Sequence, residues 1–330
     1  MPELPVGSRA EVPILGQSDI PPGCHGQAPS PVFGRMNAEN TFETHRSRLF
    51  GLSYRLLGSR SDAEDVVQDT WLRWQQADKT GIRDPEAWLV TAATRLGIDR
   101  LRAARVQREH YTGPWLPAPS DIDEAPGPER TAEVSEQVSL AFLAVLERLG
   151  PEERAAFLLK EAFDYDYAQI APLLGQSEAN CRQMGHRARE RVQAGRPRFD
   201  VPPENHRRLL ERFMQAARRG DQPAITALLR EDAQLVSDGG GKAQAVIRPL
   251  LGAIRIARLF WAAYRRQDPA IAWRMGTVNG EPAILRYRDG VLVAVMVAVS
   301  DGERISEIFT VANPDKLGTA VTAKDGGTSW

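Results

Sequence analysis

Residues 61 to 108 read SDAEDVVQDTWLRWQQADKTGIRDPEAWLVTAATRLGIDRLRAARVQR, and this stretch begins acidic and ends basic. In its first half, apolar and aromatic side chains recur at helical spacing, at Val66, Val67, Thr70, Trp71 and Trp74. The acidic residues of that half are Asp62, Glu64, Asp65 and Asp69. The arginines of the second half are Arg95, Arg100, Arg102, Arg105 and Arg108. An acidic helix beside an arginine-rich one predicts one face for a basic protein and one for a polyanion, or else two bundle helices with solvated charge.

Residues 166 to 196 read DYAQIAPLLGQSEANCRQMGHRARERVQAGR and predict a helix-turn-helix. Asp166 and Gln169 have capping-box spacing, Gly175 supplies a turn, and Ser177 suits the start of a second, basic helix. Pro172 should bend the first helix. A basic helix hairpin that binds no DNA is the alternative. The residues expected to face base edges and phosphates are Ser177, Glu178, Asn180, Arg182, Gln183, His186 and Arg187.

The two segments in this order resemble a sigma-70-family initiation factor of the extracytoplasmic-function (ECF) type, over residues 41–196. THRSRLFGLSYRLLGSRSDAEDVVQDTWLRWQQ is similar to region 2 helices that bind core RNA polymerase, and AWLVTAATRLGIDRLRAARVQRE to the part that reads the −10 element. Residues 139–193 resemble region 4, which reads the −35 element. The resemblance implies polymerase contacts at the β′ clamp and β flap, and promoter DNA as a partner. The implied core-binding residues are Asp62, Glu64, Asp65, Asp69 and Trp71. The implied −10 contacts are Arg95, where the family commonly has Asn, and Arg100, Arg102 and Arg105.

Three short strings extend the resemblance: YTGPWLPAP at 111–119, DGGGK at 238–242 and NPDKL at 313–317. Together they are similar to the sigma J-like ECF subgroup, which carries a fused SnoaL-like C-terminal domain and usually has Glu where Ala118 stands. We expect these strings to meet and to control whether the helical domains open onto DNA. Alternatively, DGGGK only turns the chain and NPDKL only ends a strand. The expected regulatory residues are Trp115, Leu116, Pro117, Asp238, Gly239, Gly240, Gly241, Lys242, Asn313, Pro314, Asp315, Lys316 and Leu317.

The C-terminal part predicts an α+β fold. Helical patterns run to Gly220, over 222–232 and over 252–267, with a strand and the glycine turn before the last of these. Four strands then follow, separated by Asn-Gly and two Asp-Gly pairs, which are strong hairpin signals. Such helices and a curved antiparallel sheet resemble the cone of SnoaL and nuclear-transport-factor-2-like domains. A cone of this kind often encloses an apolar pocket, so an unknown small ligand is a candidate partner.

Relatives of that cone include enzymes with pocket acids and histidines, so catalysis has to be weighed. The chain has no histidine after His206, and Asp232 and Asp238 are the candidate acids. DGGGK lacks the context of a phosphate loop, and metal-ligand patterns are absent. We therefore assign no catalytic residue, no metal and no cofactor.

Composition divides the chain into segments. The first 35 residues hold seven prolines and five glycines, which favours disorder, and Met36 is an alternative translation start. Prolines also mark a linker after the first helical domain. The predicted segments are a disordered extension at 1–36, region 2 at 37–108, the linker with WLPAP at 109–133, region 4 at 134–196, the SnoaL-like domain at 204–318 and a flexible tail at 319–330.

Net charge is −1, so affinity for DNA must come from local basic patches. Cys24 and Cys181 are interpreted as reduced thiols, and no apolar run approaches the length of a membrane span, so we expect a cytoplasmic protein without a membrane partner. The sequence thus predicts an ECF-type sigma factor modulated by its fused domain. The alternative is a SnoaL-like enzyme or ligand sensor fused to a helix-turn-helix regulator.

Overall fold

The computed structural model describes residues 31–108, 111–124, 138–195, 201–266 and 268–321. Its first helical domain consists of α1 (Pro31–Leu57), α2 (Arg60–Gln76), a 3-10 turn (Lys79–Gly81) and α3 (Pro85–Arg108). Gly58 separates α1 from α2 at a φ of 66°, a conformation that glycine adopts without steric cost. The side chain of Ser59 then caps α2 by accepting from the amide of Asp62.

The first helix begins earlier than the sequence predicted. Pro31 opens α1 inside the segment 1–36 that was expected to be disordered, and residues 1–30 lie outside the described residues. Proline suits a first helical position because its fixed φ is helical and its missing amide hydrogen is not needed there. The prediction of disorder is therefore wrong for residues 31–36.

The second helical domain consists of α4 (Leu140–Leu146), α5 (Pro151–Ala162), α6 (Tyr167–Leu174) and α7 (Glu178–Gly195). The capping box at the start of α6 is present: Asp166 accepts from the amide of Gln169, and the Gln169 side chain accepts from the amide of Asp166. Gly175 turns the chain at a φ of 62°. The helix-turn-helix geometry predicted from the sequence is confirmed for α6 and α7.

The two helical domains share one apolar core. Leu49 and Leu89 from the first domain lie in the same cluster as Leu146, Leu158 and Ile170 from the second, and each is at most 1% exposed. The domains are therefore packed on each other in this structure, rather than held apart by an extended linker.

The third domain combines four helices with a seven-stranded sheet. The helices are α8 (Pro203–Arg219), α9 (Gln222–Leu228), α10 (Ala253–Arg265) and α11 (Pro314–Val321). The strands are β1 (Ile122–Asp123), β2 (Leu229–Asp238), β3 (Leu250–Leu251), β4 (Ile271–Val278), β5 (Glu281–Arg288), β6 (Val291–Ser300) and β7 (Ile305–Val311). Their order is β1-β4-β5-β6-β7-β2-β3, with β2 parallel to β7 and the other neighbours antiparallel. This α+β architecture confirms the predicted fold class.

The hairpin signals of the sequence are also confirmed. Asn279 and Asp289 adopt φ angles of 51° and 50°, and each is followed by a glycine at positive φ. Two consecutive positive φ angles are the geometry that Asn-Gly and Asp-Gly favour in tight hairpins. These turns join β4 to β5 and β5 to β6.

Both faces of the sheet are covered. On one face, side chains from α8, α9 and α10, including Phe213 and Phe260, form a core with Ile284 and Met296. On the other face, Leu116 of the linker and Leu140 of α4 belong to a core that includes sheet residues. Part of the sigma-like half therefore buries the second face of the sheet.

The linker is partly built into the third domain. Ile122 pairs with Val278 and Asp123 with Thr277, so the two-residue strand β1 extends the sheet beyond β4. Within the described residues, 111–124 of the predicted linker (109–133) are thus docked on the third domain. Residues 125–137 lie outside the described part of the chain.

Two element boundaries also differ from the sequence prediction. The second helix of the third domain ends at Leu228, because Leu229 already pairs with Ile305 of β7. At the other end, α11 continues to Val321, so residues 319–321 are helical rather than a flexible tail. Among the described residues, none of the helices has the length and apolar character required to span a membrane.

Candidate polymerase and DNA interfaces and the interdomain latch

The acidic face of α2 lies at the surface but is not free of partners. The side chains of Asp62, Glu64 and Asp65 are more than half exposed, and that of Asp69 is 43% exposed. Arg100 of α3 binds Asp65 at 3.0 Å and Asp69 at 2.9 Å. Two of the acids predicted to bind polymerase are thus paired with an arginine predicted to bind DNA.

The apolar residues of α2 behave differently from the sequence expectation. Val67 is buried, and Trp71 is half-buried against Phe42 with ring centroids 4.8 Å apart. Leu72 is 46% exposed. A protein partner of α2 would therefore meet Leu72 among the acids, and the sequence reasoning missed this residue because it lies off the core-facing stripe.

The arginines of α3 that were predicted to contact the −10 element are mostly engaged within the chain. Arg95 donates to the carbonyl oxygens of Leu173 and Pro172, both at 3.1 Å, at the end of α6. Arg102 binds Glu152 of α5 at 2.5 Å. Arg105 is exposed. The α3 surface is therefore turned toward the second helical domain.

The second helix of the helix-turn-helix is open to solvent on one face. Ser177 caps α7 by accepting from the amide of Asn180 at 3.2 Å. Exposed side chains recur along one face of α7 with the period of the helix. Buried Cys181, Met184 and Ala188 anchor the opposite face. The exposed residues predicted for the −35 element are Ser177, Glu178, Arg182, Gln183, His186 and Arg187. Asn180 is half-buried.

Local ion pairs hold several of these side chains. Arg182 binds Glu178 at 2.5 Å, one turn away, and His186 lies 3.6 Å from Glu190. Arg187 lies 3.4 Å from Glu153 of α5. Exposed pairs of this kind contribute roughly 0–1 kcal/mol each, so they restrain these side chains only weakly.

Three of the expected regulatory strings meet around one buried carboxylate. Asp238 is fully buried, and its Oδ1 accepts from the hydroxyl of Tyr111 at 2.5 Å and from the amide of Gly240 at 3.0 Å. Its Oδ2 accepts from the amide of Leu116 at 2.8 Å and from Lys316 Nζ at 2.6 Å. We call this set, Asp238 with Tyr111, Leu116 and Lys316, the carboxylate latch.

Lys316 is the cation of the carboxylate latch. Its Nζ also donates to the Leu116 carbonyl and lies 3.8 Å from the centre of the Trp115 ring, and the Arg108 guanidinium lies 3.4 Å from that ring. Burial lowers the pKa of Lys316 to about 8, against the opposing effect of Asp238. Burial and the neighbouring Asp238 charge raise the pKa of Tyr111. The linker thus contributes an aromatic platform and two backbone groups to this site.

The glycines of DGGGK shape the approach of the linker. A Cβ on Gly240 would lie 2.3 Å from the Asn313 side chain, and one on Gly241 would lie 3.1 Å from that of Thr112. A Cβ on Gly239 would lie 2.4 Å from the Ala243 carbonyl oxygen. Positive φ angles at Gly240 and Gly241 exclude other residues further.

NPDKL starts a helix instead of only ending a strand. Asn313 accepts from the amide of Asp315, Pro314 is the first residue of α11, and Leu317 is buried in the core that also contains Leu116. Asn313 Nδ2 also donates to Tyr111 at 2.9 Å. Lys242, in contrast, forms an exposed pair with Asp315 at 2.6 Å and has no described contact with the linker.

A second contact between the domains centres on Asn279, which the sequence analysis treated only as a turn residue. Its Nδ2 donates to the Tyr54 hydroxyl at 2.8 Å and to the Val138 carbonyl at 2.9 Å. Its Oδ1 accepts from the amide of Ser120 at 2.9 Å. One buried side chain, which we call the amide latch, therefore joins both helical domains and the linker to the third domain.

WLPAP itself lies against the first helical domain. The amide of Ala118 donates to the Gly58 carbonyl at 2.8 Å, and its carbonyl accepts from Tyr54 at 2.9 Å. Pro117 is buried beside Gly58. Backbone contacts thus fix this segment even though Ala118 replaces the Glu of the resembled subgroup.

The comparison with known proteins agrees with this architecture. Family models for Sigma-70 region 2 and Sigma-70, region 4 match residues 41–106 and 139–192. The chain is 38% identical over 289 residues to the ECF RNA polymerase sigma factor SigJ of Mycobacterium tuberculosis, with 84% of this chain and 92% of the relative covered. The chain belongs to the ECF sigma factor family. The resemblance inferred from its motifs is thereby confirmed.

One further relative and one solved structure of SigJ span all three domains of this ECF sigma factor. A probable ECF sigma factor SigI of M. tuberculosis is 29% identical, over 87% of this chain and 97% of the relative. The crystal structure of M. tuberculosis SigJ matches with a TM-score of 0.66 at 33% identity, over 86% of this chain and 99% of that one. The third domain is thus shared with full-length relatives.

Proposed function

We propose that this ECF sigma factor is held in a closed state by its own third domain, and that it directs promoter-specific initiation only after opening. In this proposal α2 binds the β′ clamp of core RNA polymerase, and the second helical domain contacts the β flap. The exposed face of α7 reads the −35 element, and the arginines of α3 read the −10 element.

The observation that supports the proposed closed state is the position of Arg95. Its guanidinium binds two carbonyl oxygens of α6, so the helix proposed for the −10 element touches the helix-turn-helix proposed for the −35 element. Those promoter elements lie roughly 70 Å apart, about two helical turns of DNA. Simultaneous binding of both elements therefore requires this contact to break.

The third domain supplies the restraint. The carboxylate latch fixes the linker on the third domain, and the amide latch fixes Tyr54 and Val138 on the same domain. Because the restraint is part of the same chain, its effective concentration is in the ~mM range and needs no separate inhibitor protein. Release of the linker from the third domain is the proposed regulatory step.

We propose no enzymatic role for the third domain. Asp238, one of two candidate acids, is buried and bound to Lys316, and Asp232 is exposed and paired with Arg230 at 3.1 Å. Phe213 and Phe260 pack edge to face with ring centroids 5.1 Å apart, in the core between the sheet and helices α8 to α10. This packing favours a binding and regulatory module over the alternative of a SnoaL-like enzyme, and it does not identify a ligand for the cone.

The test compares two lysines that each bind an aspartate but differ in burial and in contact with the linker. Lys316 and Lys242 each bind an aspartate at 2.6 Å, but the Lys316 side chain is 11% exposed and touches the linker, while that of Lys242 is 58% exposed. Run-off transcription with purified core polymerase should rise in Lys316→Met, since the carboxylate latch is weakened, and should stay unchanged in Lys242→Met. Equal activity of folded Lys316→Met and the full-length parent would contradict the closed-state proposal.

A further inference from the structure

A basic cavity lies where α3, the linker and the start of α5 meet. It measures about 470 Å³, within the range of roughly 300–1,000 Å³ that is common for small-molecule sites. Trp115 and Gly150 contribute to its wall. Its arginines come from α3, from the segment between α4 and α5, from α5 and from α7. They are Arg105, Arg108, Arg148, Arg154 and Arg191.

The acids in the wall do not balance these arginines. Glu147 is shared by Arg108 at 2.5 Å and Arg154 at 2.7 Å, and Glu153 is 2.6 Å from Arg191 and also 3.4 Å from Arg187, which is outside the cavity. Burial lowers the pKa of Arg108, and the Arg154 charge contributes to the same shift. Arg148 binds Glu307 of β7, outside the wall, at 2.9 Å. The five wall arginines therefore face three carboxylates in all, and the cavity keeps an excess of positive charge.

One arginine of the wall has an unused donor. Arg154 is 2% exposed, and its Nη1 donates to the Leu56 carbonyl and to Glu147, both at 2.7 Å. Its Nε has no hydrogen-bond partner, although the atom is buried. A buried donor without an acceptor is costly. Arg154 also adds a buried positive charge to the wall, and an anion in the cavity would offset that charge.

The local backbone adds to this preference. Helix α5 has 12 residues and begins beside the cavity, with Gly150 at its N-cap. Amide groups and the helix dipole favour negative charge at such an end. Guanidinium groups bind phosphate oxygens in a bidentate manner, and they approach this cavity from helices of both sigma domains.

We propose that this cavity binds a small phosphorylated molecule with at least two phosphate groups. One phosphate would contact Arg105 on the α3 side, and another Arg191 on the α7 side. Such a ligand bridges the two helical domains directly and so stabilises their closed packing. The stabilising effect rests on the proposed closed state, whereas binding to the cavity is measured directly and without transcription, so failure of the two proposals can be distinguished.

Isothermal titration of the full chain with inorganic pyrophosphate, at constant ionic strength, tests this site. We expect saturable binding near one per chain. Arg105→Ala and Arg191→Ala should each weaken it about tenfold, as expected for loss of one charge-assisted bond. Arg255→Ala, an exposed arginine on α10, is the matched control and should leave binding unchanged.

Three results would overturn the proposal. The first is the lack of saturable heat with pyrophosphate, and the second is equal weakening by Arg255→Ala. In the third, a duplex DNA fragment without a promoter displaces pyrophosphate, and both cavity variants lose DNA affinity to the same extent. That result would mean that the arginines bind the phosphate backbone of DNA rather than a small molecule. Thermal unfolding of each variant without ligand confirms that loss of binding is not loss of folding.

Discussion

Asn279→Asp should open the protein without disturbing the hairpin that carries this residue. Aspartate tolerates the φ of 51° at this position, and the next residue remains glycine. The substitution keeps an acceptor for Ser120 but removes the Nδ2 donor that serves Tyr54 and Val138. The change therefore acts on the amide latch rather than on the fold of the third domain.

The expected effect can be worked out from these contacts. Loss of two hydrogen bonds costs about 1 kcal/mol each. The new carboxylate faces the Val138 carbonyl at a position that is 2% exposed, which adds about 1–3 kcal/mol of unfavourable burial. A total of about 3–5 kcal/mol shifts the equilibrium between closed and open states by about a hundredfold or more.

Hydrogen–deuterium exchange of the segment 111–124 measures this opening, because the amides of Leu116 and Ala118 donate to Asp238 and to the Gly58 carbonyl and exchange faster when the segment detaches. Run-off transcription with core polymerase provides the functional readout. Asp289→Asn is the matched control: it is the reverse substitution at a φ of 50°, also followed by glycine, but on an exposed hairpin tip. We expect faster linker exchange and higher transcription in Asn279→Asp alone.

The reasoning is refuted if Asn279→Asp and Asp289→Asn exchange and transcribe alike while strand β6 stays protected in both. Protection of β6, whose central residues are buried, shows that the third domain is still folded. Loss of that protection in Asn279→Asp would instead mean global unfolding, and Asn279→Ser would then be used to remove the donor without adding charge.

Three further substitutions test separate surfaces. Arg182→Ala should cost about 1–3 kcal/mol of promoter affinity in the holoenzyme and relax base preference at one position, as measured by footprinting on −35 variants. Leu72→Ala should weaken core-polymerase binding by about 1 kcal/mol without changing the free energy of unfolding, since this side chain is exposed; unchanged co-purification would exclude Leu72 from the interface. Burial raises the pKa of Glu281 to about 7, against a side-chain hydrogen bond from Ser139 of the second helical domain. The Glu281 carboxyl therefore holds a proton in the closed state that it releases on opening. The stabilisation that this proton gives the closed state is fully present below about pH 4.5 and is lost as the pH rises through 7. Glu281→Gln should flatten this dependence in thermal unfolding between pH 5 and 8.

Local signals in the sequence predicted the elements that depend on local chemistry. The capping box at Asp166, the turn at Gly175 and the hairpin at Asn279 require only a few neighbouring residues to form. Short motifs also identified which segments meet, since WLPAP, DGGGK and NPDKL all contribute to the carboxylate latch. Local chemistry therefore supports prediction of elements, and recurring motifs support prediction of contacts between them.

Partners that lie far apart in the sequence were not predictable in this way. Asn279 is already explained as a hairpin residue, so nothing in its surroundings signals a bond to Tyr54. Strand β1 has two residues, too few to show alternation, and it follows a proline-rich stretch. The motif suggested Lys242 as the regulatory cation. In the structure, Lys316 is the buried lysine at the linker, and Lys242 is exposed.

The two proposed DNA surfaces differ in their availability, and this difference constrains the order of events. The face of α7 is exposed, so on the proposed reading the −35 element would be accessible before any opening. The α3 arginines are instead largely engaged within the chain: Arg95 binds α6, and Arg100 binds the same acids of α2 that are proposed to meet polymerase. Polymerase binding at Asp65 and Asp69 would therefore release Arg100 for DNA. Core polymerase and the third domain then act in opposite directions on one equilibrium, and reversing these acids to lysine would disturb both steps at once.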